Sequence, residues 1–174
     1  MTPKQQAKID EFLAALPQDE QAICCPIVDC LTALDYIPQT NRAFLSFKHK
    51  KNGKVIAKIR KGEIRIKFFA CKNPPQKYIG ELRREAEESD WQYSMPVPPP
   101  DKVPLPPGAV MKPCTLVCNV CTGGKMRYYY RFPDGKEVFR CGAYPVQIPN
   151  VEESDLAELL RILQEQHTYF LSLT

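Results

Sequence analysis

The sequence has little of what most catalytic apparatus requires. Its 174 residues hold two histidines, His49 and His167, so Ser/His or Cys/His nucleophilic catalysis has few bases to draw on. It lacks the glycine-rich loop that cradles phosphates, and it lacks H-E-x-x-H and G-x-S-x-G. No catalytic residues are assigned. Nor is there an apolar run long enough to cross a membrane as a helix. The opening MTPKQQAKIDEFLAALPQDE carries charges throughout and lacks the apolar core of a signal peptide. A reducing, cytoplasmic setting is therefore the expectation. There, gathered cysteines point to metal or redox chemistry rather than to disulfides.

Acid is also scarce, but only in one place. From Arg42 to Lys77 there are twelve Lys or Arg and one acid, Glu63, whereas the rest of the chain carries twelve basic and nineteen acidic residues. The net charge of +4 thus hides a basic block inside an acidic remainder.

Local patterns lay out the chain. Thr2, Pro3 and Gln5 form a capping-box start for a helix, with Ile9, Phe12, Leu13 and Leu16 as its apolar stripe and Pro17 as its end. A second helix is expected from Asp19 or Pro26 to Tyr36, with Ile27, Leu31 and Leu34 inward and Pro38 as its stop. The period then changes to two. AFLSFKHKK, KVIAKI and EIRIKFFAC read as three strands joined at Asn52-Gly53 and Lys61-Gly62. NPPQKYIGELRREAEES reads as a helix capped by Asn73, with Ile79, Leu82 and Ala86 inward. Eight prolines in residues 96–113 read as an extended connector. KMRYYYRF and KEVFRCGAY form a hairpin around Asp134-Gly135, and PVQI is a short third strand. Asn150 then opens a helix whose stripe is Leu156, Leu159, Leu160 and Leu163.

The expected class is α+β: two β-β-β-α units, a possible pseudo-repeat, with antiparallel sheets, an N-terminal helical segment and a zinc-ribbon-like cysteine cluster. The expected division is residues 1–95, the connector 96–113, and residues 114–174.

Two groups of residues carry chemistry. Cys114, Cys118 and Cys121 are spaced C-x3-C-x2-C, and Cys141 follows after the hairpin. Four thiolates on loops around a turn suit one tetrahedral, structural zinc ion, and Gly123-Gly124 and Gly142 ease the tight backbone beside them. A thiol–disulfide centre at Cys118 and Cys121, an iron–sulfur cluster, or plain buried cysteines are the other readings of the same spacing. Cys24, Cys25, Cys30 and Cys71 read as core. His49, among lysines, reads as exposed. His167, near a helix C-terminus, reads as favouring its protonated form.

The second group is Lys48, Lys50, Lys54, Lys58, Arg60, Arg65 and Lys67. Placed on one side of the first sheet, they would make the footprint of a protein that meets nucleic acid or an anionic ligand. Tyr128, Tyr129, Tyr130 and Phe132 would add stacking platforms. A solvated face, or one neutralised by the chain's own acids, is the plainer reading.

At LSFKHKKNGKVIAKI, KFFACKNPP and DGKEVFRCGAYPVQIP the chain resembles a family of small uncharacterised bacterial proteins. The likeness covers most of the length, including the cysteine cluster. Some members carry a loose transcriptional-regulator label, so the resemblance implies a regulatory role and transfers no activity.

Overall fold

The computed structural model describes residues 1–41, 44–88 and 125–173. The expected proline connector, and with it Cys114, Cys118 and Cys121, lies outside the described residues. The chain divides into two compact units: Met1–Pro74 with Pro145–Thr174, and Pro75–Tyr144. The last strand thus belongs to the first unit, and the expected connector 96–113 falls outside the described residues. The class is α+β with antiparallel sheets.

The first unit starts with helix α1 (Pro3–Ala14), capped as expected. The Thr2 hydroxyl accepts from the Gln5 N–H, and the Gln5 side chain accepts from the Thr2 N–H. Helix α2 (Gln18–Ala33) begins earlier and ends earlier than expected and runs through Pro26. Asp35 then adopts φ +63, a left-handed turn that Asp tolerates, and the chain enters strand β1 (Tyr36–Asn41). The sequence pattern places Tyr36 in the helix, with Pro38 as its stop. Pro38 instead lies within β1, which is acceptable because β1 is an edge strand.

Strands β2 (Phe44–His49), β3 (Val55–Arg60) and β4 (Glu63–Ile66) follow as an antiparallel meander. Gly53 and Gly62 turn the chain at φ +68 and +70, conformations that favour glycine. Strand β7 (Val146–Ile148) closes the order β1-β2-β3-β4-β7. The expected partner of β7 was the tyrosine hairpin. Its partner is β4, through Ile64–Ile148 and Ile66–Val146.

That register continues two apolar rows across all five strands. One is Pro38–Phe47–Ala57–Ile66–Val146 and the other is Thr40–Leu45–Ile59–Ile64–Ile148. Nine of these ten residues are buried, Pro38, Leu45, Phe47, Ala57, Ile59, Ile64, Ile66, Val146 and Ile148, and Thr40 is exposed. A slip of one residue would turn Val146 and Ile148 to the polar face and Gln147 into the core. The first unit ends with one 3-10 turn (Glu153–Asp155) and helix α4 (Leu156–Ser172). Glu152 and Asp155 make the capping box of the 3-10 turn, in place of the expected Asn150 and Glu153. The buried stripe of α4 is Leu159, Ile162, Leu163, Gln166 and Phe170. Helix α4 packs beside α2 and over β3, and α2 also packs on β1.

The second unit contains helix α3 (Gln76–Glu88) and the hairpin of β5 (Arg127–Arg131) and β6 (Glu137–Cys141). Tyr78 and Ile79 donate to the Pro75 carbonyl, so the helix begins there and not at Asn73. Helix α3 packs on β6. Arg83 pairs with Asp134 at 2.7 Å and lies 4.6 Å over the Phe132 ring. Arg140, opposite Tyr128 in register, stacks 5.7 Å over that ring and pairs with Glu85 at 2.7 Å.

The core predicts an asymmetry on α2. Leu31 is fully buried and Leu34 half-buried, although both lie on the stripe read from sequence. Leu31→Ala should lower the unfolding free energy by about 2–5 kcal/mol and Leu34→Ala by clearly less, as measured by urea denaturation. Equal losses would contradict this packing.

Candidate functional site

Three groups of side chains have the chemistry to act, and each is held by a different part of the structure.

The first is the end of the hairpin. Cys141 is the last residue of β6 and pairs in register with Arg127, the first of β5. Strand β5 therefore starts beside Cys141, and Cys121 is four residues upstream of Lys125 in sequence. After Cys141 the chain turns sharply. The Gly142 N–H donates to the Met126 carbonyl at 2.9 Å, and a Cβ on Gly142 would collide with that same oxygen. Glycine is required here by close approach. The turn brings the Ala143 N–H to the Cys141 Sγ at 3.4 Å, a bond that favours sulfur carrying negative charge. Among the described residues, no three His, Cys, Asp or Glu side chains form a group able to hold a metal ion. Of the four cysteines assigned to zinc, Cys114, Cys118 and Cys121 fall outside those residues. Of the cysteines read as core, Cys24 is buried, whereas Cys25, Cys30 and Cys71 are half-buried; burial pushes Cys24 up to about 12 and raises Cys30 and Cys71 as well.

The second group is the basic block. On the polar face, Gln39, Ser46, Lys58, Arg65 and Gln147 form one cross-strand row. Lys58 and Arg65 are thus direct neighbours, a like-charge pair that costs stability on its own. Glu63, buried at the start of β4, relieves part of this by accepting from both Arg60 and Arg65. The two guanidiniums lie 4.7 and 5.6 Å from the Phe44 ring. Lys58 has no acidic partner among the described residues. Lys48 projects from β2, and Lys50 and Lys54 lie at the β2–β3 turn. Lys67 was expected on the same face but is only 3% exposed, with its ammonium 5.9 Å from the Phe170 ring. Its aliphatic stem reads as part of the core.

The third group was not recognised from the sequence. The chain's two histidines meet, His49 from β2 and His167 from α4, with ring centroids 5.4 Å apart. Tyr36 of β1 stacks edge-on to both, at 5.1 and 5.7 Å. The Tyr36 hydroxyl is 3.4 Å from His167 Nδ1, and the Asn52 N–H donates to His49 Nδ1 at 3.4 Å. His49 is 3% exposed, which corrects its reading as a surface residue. A signal was present: Leu45, Phe47 and His49 share one parity, and Leu163 and His167 are one helical turn apart. Burial lowers the pKa of His167, the neighbouring His49 lowers it further, and Asp35 opposes them. The structure favours neutral His167, against the protonated form expected at a helix end.

Comparison with known proteins finds no matching family, no matching curated protein and no matching solved structure. Among the described residues no helix is long and apolar enough to cross a membrane.

The histidine pair predicts acid sensitivity. His167 has a folded pKa below its unfolded value of about 6.5. Its contribution to stability is therefore present above that value and lost as pH falls through the lower folded pKa. The urea midpoint should drop between about pH 7 and pH 5, and His167→Gln should make the drop shallower. Identical slopes in both proteins would reject this.

Proposed function

We propose that the protein is a non-catalytic binding module of a reducing, cytoplasmic setting, with a structural zinc ion and a basic sheet face that meets nucleic acid or another anionic partner. Cys114, Cys118, Cys121 and Cys141 would hold the ion. The Cys141 environment supports this, since the N–H···S bond and the obligatory Gly142 turn suit a ligating thiolate. The cluster would then be ribbon-like, and its binding free energy would add to folding of the hairpin.

One observation carries the binding role: Lys58 and Arg65 stand opposite each other on adjacent strands while Glu63 is the sole acid of the block. A sheet that tolerates this repulsion gains from an anion laid across it. The resemblance to proteins labelled as regulators agrees with such a role. The competing reading is a thiol–disulfide protein using Cys118 and Cys121, and the raised thiols of Cys24, Cys30 and Cys71 give it no support.

Native mass spectrometry of the purified chain should show one bound zinc, about 65 Da, that is lost in Cys141→Ser. A folded, metal-free protein with a reversible disulfide between Cys118 and Cys121 would replace zinc with redox chemistry. For the face, nucleic-acid affinity should fall steeply with salt. Lys58→Glu should weaken binding and flatten that dependence by about one phosphate contact. No retention at low salt would remove the role.

A further inference from the structure

Where α2 begins, the turn between β3 and β4 and the chain leaving β7 meet around a cleft of about 190 Å³. All of its lining belongs to the first unit. Its floor is apolar, since Cys24, Ile64 and Ile148 line it and are buried. Burial first, and then the nearby Glu20 carboxylate, push the Cys24 thiol up to about 12, so the floor is uncharged at neutral pH. Ile23 of α2 and Val151 are half-buried walls. A left-handed turn at Asn150, φ +42, precedes Val151.

Two opposite charges border this floor. Glu20, in the first turn of α2, accepts from the Gly62 N–H through Oε2 at 2.7 Å, which fixes the carboxylate. Its Oε1 makes no hydrogen bond among the described residues. Arg60 pairs with Glu63 through Nη2 and lies 4.7 Å from the Phe44 ring, so its guanidinium is held as well. The Nε and Nη1 of Arg60 make no hydrogen bond among the described residues, and 44% of the side chain is exposed. Glu63 also lines the cleft, but Arg60 and Arg65 already share its charge.

We propose that this cleft binds a free α-amino acid with an aliphatic side chain. The ammonium group meets Glu20 Oε1, the carboxylate meets Arg60, and the side chain lies on Cys24, Ile64 and Ile148. Both polar contacts are charge-assisted, the stronger kind of hydrogen bond. Size agrees: sites for drug-sized ligands run to roughly 300–1,000 Å³, and this cleft is smaller than that range. Charge agrees too. Two carboxylates and one guanidinium line the cleft, which disfavours a polyanion such as nucleic acid. A simple amine or a simple carboxylate leaves one fixed charge desolvated and without a partner, so a ligand carrying both charges is preferred. The site requires neither zinc nor nucleic acid and goes beyond the binding role proposed above.

The test is isothermal titration calorimetry of the full chain with leucine, isoleucine and valine, each at millimolar concentration. At least one should bind saturably. For the tightest of them, the decarboxylated amine and the deaminated acid should each bind about tenfold more weakly or worse. Glu20→Gln and Arg60→Gln should each weaken the amino acid by about tenfold or more. Glu20→Gln should leave the deaminated acid unaffected, and Arg60→Gln should leave the amine unaffected. Val151→Phe sets a ring into the wall and touches neither charge; it should abolish binding with an unchanged circular dichroism spectrum. Because Glu20 also anchors the Gly62 turn, Arg60→Gln and Val151→Phe decide the matter where Glu20→Gln does not fold. No saturable heat from any of the three amino acids overturns the inference. Binding that survives both Arg60→Gln and Val151→Phe overturns it as well, because the ligand then sits elsewhere. An analogue that matches the amino acid also overturns it, since a single charge then suffices.

Discussion

The pairing of β7 with β4 is the constraint on which the first unit depends. Three residues, Val146, Gln147 and Ile148, extend two buried rows by one column each and keep a polar residue outside. They also fasten the C-terminal segment, and with it α4, to strands formed some eighty residues earlier in sequence. Helix α4 then supplies Leu159, Ile162, Leu163 and Phe170 to the core and brings His167 to His49. Without that short ladder, the sheet would end at β4 and the histidine cluster would have no second member.

Electrostatics follows from the same frame. Antiparallel alternation puts Ala57, Ile59, Ile64 and Ile66 on the buried side and leaves Lys58, Arg60 and Arg65 on the other face. On that face one buried carboxylate, Glu63, lies between the two guanidiniums of Arg60 and Arg65. In the second unit Arg140 is buried against Glu85 and Tyr128, with its Nε and Nη1 unpaired. Burial of that charge depends on the single partner Glu85 and on the ring beneath it, because a lone buried charge is expensive.

Much of this was legible in the sequence. Period-two patterning and glycine turns placed β2, β3, β4, β5 and β6, and the Thr2–Gln5 box placed the start of α1. What could not be read was tertiary in origin. Pro38 looks like a helix stop until β1 is known to lie at an edge, and PVQI looks like the third strand of its own hairpin until the β4 register is known. His49 and Lys67 look like members of a basic run, and burial depends on what packs above them. Of the site residues, the Lys58–Arg65 adjacency follows from the hairpin turn. That Tyr128 is buried and Tyr129 exposed required knowing which side of the hairpin α3 covers.

The order of the strands has a consequence for synthesis. The segment between β4 and β7 leaves and returns on neighbouring strands, so the first unit is interrupted by the second in chain order. As the polypeptide leaves the ribosome, β4 is an open edge with unpaired backbone groups until residue 148 emerges. The nascent meander must stay soluble through that interval, and the lysines and arginines that crowd its polar face are charges of the kind that keep a bare edge from pairing with another chain.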